Sequence, residues 1–397
     1  MWYKLMIIKR IIEDLFIFPF VLWGRLSSDS FLPRKSYDIY FFFPFFHTGG
    51  AEKVHTQITH TFKGRQALII FTRKSHHDAF YAQFKSSGHD IIDISNYTDN
   101  KWQYWNNLIY RGILAGYIET QKERCVVFNG HSNFAYKLSR WLRKDIPQFE
   151  LIHSFNSFSY IRIPFIAYYK KTVMISKNRI DDHIRQYHRY GIPSAYESRI
   201  QYIQNAIDLP QKRQRFFADH LRVMYVGRST PEKRVHLAAA IANQAREKQL
   251  PISMTFVGDV AASLTVENKE KDVICGNISD PNELNRLYRE QADVLLIPST
   301  TEGLPMVMME AMAHGAVIMA TPVGDIPFHI IPEQNGFLFS SVNDEELIIT
   351  EAIEFLHRLL SDKELLRQIS ETNTEQAFRN YGLPRFEQEY KNLLDLN

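Results

Sequence analysis

The chain has 397 residues, 45% of them hydrophobic and 23% charged, with a formal net charge of +3. That length exceeds one ordinary core and predicts two domains, and the composition excludes a low-complexity or collagen-like chain. The two cysteines, Cys125 and Cys275, lie far apart in the sequence; they read as buried small hydrophobes in a reducing compartment, not as a disulfide or metal pair.

The chain opens "MWYKLMIIKRIIEDLFIFPFVLWGRL", with early positive charges and a nine-residue apolar run from Leu15 to Trp23. A bilayer span needs about 20 apolar residues, and no small-residue cleavage site follows, so neither a transmembrane helix nor a signal peptide is expected. Residues 1–36 read as an interfacial amphipathic segment, or alternatively as a helix packed on the domain. Trp2, Trp23, Lys4, Lys9, Arg10 and Arg25 would suit peripheral contact with an anionic membrane.

From residue 37 strands and helices alternate, which predicts a doubly wound α/β chain. Strands are expected at 37–46, 67–72, 90–94, 125–129, 150–155, 172–176 and 200–205, and the glycine turn "HTGGAEKV" opens a helix after the first. Residues 101–180 carry thirteen Lys and Arg against four acids, a balance of +9 that leaves about −6 for the rest. With the aromatics of "KWQYWNNLIYR" and "FIAYYKK", this predicts a basic face for an anionic membrane or a polyanionic ligand, or else a solvated helix face. No nucleic-acid recognition motif is present, so nucleic acid is not an expected partner.

After a linker near 206–220 the pattern restarts. Strands are expected at 222–229, 252–259, 272–276, 293–299 and 316–322, then helices near 344–360 and 363–379 and a last one from Pro384. Ligands of open α/β sheets bind beyond the carboxyl ends of strands. Two such domains facing each other predict a site in the cleft between them.

Two stretches of the second half carry chemistry. "VGRSTPEKRV" places Arg228 and Lys233 after a strand and a tight turn at Gly227, at the head of a helix, which suits an anion such as a diphosphate. It is not a P-loop, and no GxGxxG follows the first strand, so a dinucleotide-binding domain is disfavoured. "PSTTEGLPMVMMEAMAHG" sets Glu302 in a loop and Glu310 in an apolar helix. Pro305 suits the helix start, and the first amides, at Met306 and Val307, form a second anion site. A buried carboxylate accepts hydrogen bonds only, so a ribose diol suits Glu310 and a second polyol suits Glu302; a salt bridge to a neighbouring helix is the plainer reading of Glu310.

Taken with "GGAEKV" (49–54), "IQNAID" (203–208, with Ala206 where glycine is usual), "FVGD", "CGNIS" and "EQNGFLF", these motifs give a chain that resembles a family 4 glycosyltransferase across residues 37–395. The Glu-x7-Glu pair Glu302/Glu310 is its most specific element. The resemblance implies a GT-B fold: an acceptor-binding Rossmann-like domain at 37–208, a nucleotide-sugar-binding one at 209–380, and a helix at 381–397 that packs back on the first. It implies a retaining transfer from a UDP- or GDP-linked sugar to a glycan or lipid-linked acceptor in bacterial surface polysaccharide synthesis, on the cytoplasmic face of the membrane. No metal or other cofactor is implied.

By the same resemblance Glu310 would hold the donor ribose, and Glu302 the sugar hydroxyls with backbone at Gly303, Leu304 and Pro305. Arg228, Lys233 and the amides of Met306 and Val307 would hold the diphosphate, and Ile278 would lie near the base. Gly49 and Gly50 would let the first loop approach phosphate and sugar. His153 is the expected catalytic-site histidine, with His131 and His47 as competitors. A nucleotide-sugar 2-epimerase and a catalytically silent subunit of the same fold are the alternatives; the Glu pair together with "GGAEKV" favours the transferase.

Overall fold

A computed structural model describes every residue except 1, 31–34, 48, 122–123, 154, 156, 214, 279 and 395–397. Ser279 of "CGNIS", part of the expected N-terminal segment and the end of the expected last helix therefore lie outside the described residues. The chain divides into two units, Met1–Ile203 with Glu387–Asn397, and Gln204–Phe386.

Unit 1 is built on seven parallel strands, β1 (Ile39–Phe43), β2 (Ala67–Phe71), β3 (Asp90–Asp93), β4 (Val126–Asn129), β5 (Gln148–Ile152), β6 (Lys171–Met174) and β7 (Ile200–Tyr202), in the order β3-β2-β1-β4-β5-β6-β7. The strand "IYFFF" is buried at all five positions. Tyr40 and Phe42 join a core with Leu68, Ile70, Val127 and Leu114, while Phe41 and Phe43 stack on the other face. A continuous apolar run is what a sheet covered on both faces requires. The ladder stops before Pro44, which has no N–H to continue it, so the strand is shorter than the apolar run 37–46.

Unit 2 has six parallel strands, β8 (Leu221–Val226), β9 (Ile252–Val257), β10 (Val273–Cys275), β11 (Val294–Ile297), β12 (Val317–Ala320) and β13 (Gly336–Leu338), in the order β10-β9-β8-β11-β12-β13. The last strand was not expected. It has three residues, too few to show a period, and a Cβ at Gly336 would press on the Ile318 carbonyl at 2.6 Å. Helices Glu345–Ser361, Lys363–Asn380 and Leu383–Leu394 close the chain. In both sheets the strand order reverses beside the first strand of the unit, between β1 and β4 and between β8 and β11. In open α/β sheets, ligands bind outside the carboxyl ends of the strands at such a reversal.

Two expectations need correction. The basic stretch is not one surface. Arg111 and Arg162 are buried. Arg162 lies against Glu150 with both side chains wholly inaccessible, and it reaches Tyr187 Oη at 3.0 Å while Thr172 donates to Glu150 at 2.6 Å. Burial alone would raise the Glu150 pKa; the Arg162 charge outweighs it and holds the carboxyl below its ordinary value. Cys125 is buried, but Cys275 at the end of an edge strand is only half-buried. In the segment 206–220, Ile207 N–H bonds the Tyr381 carbonyl at 2.8 Å, and Arg215 pairs with Asp293 at 3.1 Å.

The N-terminal segment forms a helix, Trp2–Leu26, that packs along the helix Tyr104–Glu119. The backbones touch. A Cβ at Gly24 would overlap the Ile109 carbonyl, and one at Gly112 the Val21 carbonyl. Asp14 is buried in this contact and pairs with Arg140. The opposite side is left open, with Leu15, Phe16 and Trp23 exposed at 71%, 76% and 61%. One side of this segment is thus packed on the unit and another faces solvent. Among the described residues no helix is long and apolar enough to cross a membrane.

Candidate active site

In unit 2 the loops after β8 and β11 carry the expected site residues. Gly227 follows β8, and a Cβ at Gly258 (φ +122°) would overlap the Gly227 carbonyl, so two backbones meet with no side chain between them. Tyr225 Oη lies 3.3 Å from the Arg228 carbonyl and 3.2 Å from the Lys233 carbonyl, bracing the loop from beneath. Burial, with Glu302 and Glu232 nearby, pushes the Tyr225 hydroxyl up and keeps its proton in place. Lys233 stands in a 3-10 turn, Pro231–Lys233, not at the head of the helix. Arg234 adopts φ +48°, and the helix starts at Val235.

This turn brings Lys233 to the second loop. Its Nζ lies 2.7 and 2.8 Å from the two carboxylate oxygens of Glu302, and Ser299 Oγ donates to Glu302 Oε1 at 2.7 Å. Thr300 N–H bonds the Glu232 carbonyl at 2.9 Å, joining the loops a second time. The sequence reading gave Lys233 and Glu302 separate ligands; the structure makes them partners. Arg228 is exposed and makes no side-chain hydrogen bond or ion pair among the described residues. Gly303 is half-buried, and Leu304 and Pro305 are buried. A residue that sequence reasoning missed holds this corner: Gly324 (φ +58°), where a Cβ would overlap the Glu302 carbonyl, while Asp325 N–H bonds the Gly303 carbonyl at 2.9 Å.

Pro305 caps the helix Met306–Ala313, so the Met306 and Val307 amides have no carbonyl four residues back to bond. Glu310 is buried inside the first turns. Tyr288 Oη, from the helix Pro281–Gln291, donates to Glu310 Oε2 at 3.0 Å. Burial and the adjacent carboxylate push the Tyr288 hydroxyl up, so it stays a donor. Nothing in the local pattern of "PNELNRLYREQ" signals the hydroxyl's partner. Tyr288→Phe removes the bond and keeps the ring, which packs edge-on to His314 at 5.7 Å. It is expected to lower stability by about 1.5 kcal/mol, read by urea unfolding. Ile278 is half-buried in the loop between β10 and this helix.

In unit 1 the loops after β1, β4 and β5 carry histidines. His47 lies beside His76 and His77, with ring centroids 5.6 and 6.0 Å away, and its Nε2 is 3.8 Å from Glu52. Gly50 begins the helix Gly50–Thr61, and Gly49 is extended; a Cβ at Gly49 would meet the Glu52 carboxylate, the movable end of a side chain. His131 (φ +68°) and His153 face each other with centroids 6.4 Å apart. The third member of that group was missed: His55 Nε2 sits 2.9 Å from His153 Nε2. Its position at a buried helix turn looks like ordinary core packing in the sequence.

Burial first, and mutual repulsion second, hold His55 well below its ordinary pKa, and burial followed by His131 does the same to His153. His131 is also lowered, by burial, with Glu150 opposing and Arg162 assisting. A histidine with a depressed folded pKa binds fewer protons than the unfolded chain. Stability is therefore full above about pH 6.5 and falls below it, by at most about 1.4 kcal/mol per pH unit for each imidazole. Urea midpoints between pH 7.5 and 5.5 should fall, with a shallower fall in His55→Phe.

Residues 220–358, which include β8 and both site loops, match the glycosyl transferases group 1 family. A Salmonella typhimurium lipopolysaccharide 1,2-N-acetylglucosaminetransferase is 24% identical over 304 residues, covering 70% of this chain and 75% of that one. A Haemophilus influenzae glycosyltransferase is 32% identical over 108 residues, covering 27% of this chain and 29% of that one. Among solved structures, Anabaena HepE in complex with UDP-glucose superposes with a TM-score of 0.70 at 16% identity, covering 90% of this chain and 99% of that one. The lipopolysaccharide outer core galactosyltransferase WaaB does so with 0.66 at 16% identity and the same coverages. With two parallel sheets of this order and a group 1 match over both site loops of unit 2, the chain is a glycosyltransferase of the GT-B fold.

Proposed function

We propose that the chain is a retaining family 4 enzyme that moves a sugar from a UDP- or GDP-linked donor to a glycan or lipid-linked acceptor in bacterial surface polysaccharide synthesis. The observation that carries this reading is the Lys233–Glu302 pair beside the unbonded first-turn amides of Met306 and Val307, at the strand reversal of unit 2. Cations and amide dipoles at one crevice suit a departing nucleoside diphosphate without a metal. The relative that assembles lipopolysaccharide and the neighbour holding UDP-glucose support the substrate class.

In this reading unit 2 binds the donor and unit 1 the acceptor. Arg228, Lys233 and the two amides take the diphosphate, Glu310 with Tyr288 takes the ribose, Ile278 lies by the base, and Glu302 with the 303–305 backbone takes the sugar. His153, Gly49 and Gly50 are the unit 1 residues assigned to the transferred sugar. The acceptor oxygen bonds the anomeric carbon as the bond from that carbon to the phosphate oxygen breaks, on the same face. The acceptor proton passes to that phosphate oxygen. Thermal shifts with UDP, GDP and their sugars, followed by transfer assays with and without EDTA, test this. Full activity in EDTA with one nucleotide series is expected; no turnover with any donor refutes it.

The exposed apolar side of Trp2–Leu26, with Lys4 and Lys9 also exposed, suits peripheral contact with an anionic membrane on its cytoplasmic face. Changing Leu15 and Phe16 together to Glu is expected to cut co-sedimentation with phosphatidylglycerol vesicles at least fivefold, leaving turnover of a soluble acceptor intact. Unchanged vesicle binding would exclude this surface.

A further inference from the structure

We infer that His55 is a positioning residue that holds the proton of His153 on Nδ1, so that His153 offers a fixed N–H donor and not a base. The inference rests on the proposed role of His153 only for its consequence in turnover; the proton arrangement stands on geometry. His55 is buried on the helix Gly50–Thr61, its ring stacked on Phe43 with centroids 4.3 Å apart and planes 20° apart. Gly130 leaves room for that stack: a Cβ there would overlap the Phe43 ring and lie 2.9 Å from His55 Nε2. The ring is thereby clamped with Nε2 toward His153.

The two Nε2 atoms are 2.9 Å apart, which requires one N–H and one lone pair between them. Two charged imidazoles in this contact would repel, and a lone charged one would be desolvated, so both are neutral and each carries one proton. The far nitrogen of His55, Nδ1, is buried with no hydrogen-bond partner. If His153 donated, the one proton of His55 would sit on that buried Nδ1 as an orphaned N–H, the rarer and costlier defect in folded proteins. If His55 donates, Nδ1 keeps only a lone pair. The proton between the rings therefore belongs to His55. His153 Nε2 accepts it, and the His153 proton stands on Nδ1. His153 is half-buried, with access that His55 lacks. A donor fixed in that way can hold a sugar hydroxyl or a developing negative charge, and it cannot also remove the acceptor's proton. That agrees with proton transfer to the leaving phosphate.

Ring nitrogen shifts of the 15N-histidine-labelled full-length protein, assigned through single His→Gln variants, test the arrangement without any activity. The expected spectrum has His55 protonated on Nε2 and His153 on Nδ1 between pH 6 and 8. His55→Phe, which keeps a stacked ring, should release His153 into a mixture of tautomers and lower kcat about tenfold with little change in donor KM. His55→Asn or His55→Gln, able to donate one N–H, should restore part of both. A His153 proton on Nε2 in the wild type, or one unmoved on Nδ1 in a folded His55→Phe, would overturn the inference. The expected tautomers together with wild-type turnover in His153→Ala would instead leave the arrangement standing and remove His153 from the reaction.

Discussion

Lys233→Ala is expected to lower kcat/KM by about a hundredfold, which is ~2.7 kcal/mol of transition-state stabilisation. Two losses act in the same direction. The ammonium that would meet the diphosphate is gone, and Glu302 keeps its charge without the partner now 2.7 Å away. A largely buried carboxylate left beside an incoming diphosphate repels it. Glu302→Gln separates the two effects. It frees Lys233 for phosphate while Ser299 still has an oxygen to bond, so affinity for the nucleoside diphosphate should hold or rise as turnover falls. Only 8% of the Glu302 side chain is exposed against 24% of Lys233, so Lys233→Ala, which strands the carboxylate, should also lower thermal stability, and Glu302→Gln should lower it less. Wild-type kcat/KM in a folded Lys233→Ala would remove the ion pair from the site.

How far the sequence leads here depends on the range of each interaction. Alternating apolar runs and glycine turns are local, and they placed twelve of the thirteen strands among the described residues and the two-sheet architecture. The strand at Gly336–Leu338 escaped because its pairing with Ile318–Ala320 is tertiary and its own length carries no period. Glu302 and Glu310 stood out because carboxylates in an apolar or Gly/Pro context conflict with their surroundings. Their partners did not stand out. Lys233 is 69 residues from Glu302, and Tyr288 is 22 from Glu310. A tyrosine in an amphipathic helix, or a lysine in a charged turn, has an adequate local explanation. Gly324 and His55 were silent for the same reason: a positive φ against a distant carbonyl and a nitrogen facing another ring leave no periodic trace. Charge counting failed most clearly at Arg111 and Arg162, since formal charge says nothing about burial.

That burial sets up the largest expected change in stability. Glu150→Gln should destabilise unit 1 by about 3–5 kcal/mol, because Arg162 would keep a full charge, enclosed by apolar and aromatic side chains, with no counter-ion. Arg162→Met should cost a similar amount through the stranded carboxylate. Replacing both, Glu150→Leu with Arg162→Met, should recover most of the loss, since the pair's attraction only offsets the desolvation of two ions. pH adds an independent check. The folded pKa of Glu150 is depressed, so its contribution is full above the ordinary carboxylate range and is lost as pH falls through the lower folded value. Wild-type stability should therefore fall more steeply than that of the double variant as acid passes below about pH 4. Glu150 sits on β5, three residues before His153, and its charge and that of Arg162 act on His131 with opposite signs. If the double variant recovers stability but the histidine tautomers shift, the pair serves to cancel its own field at that site; if neither changes, the pair is a packing element and the histidines are set by their own contacts.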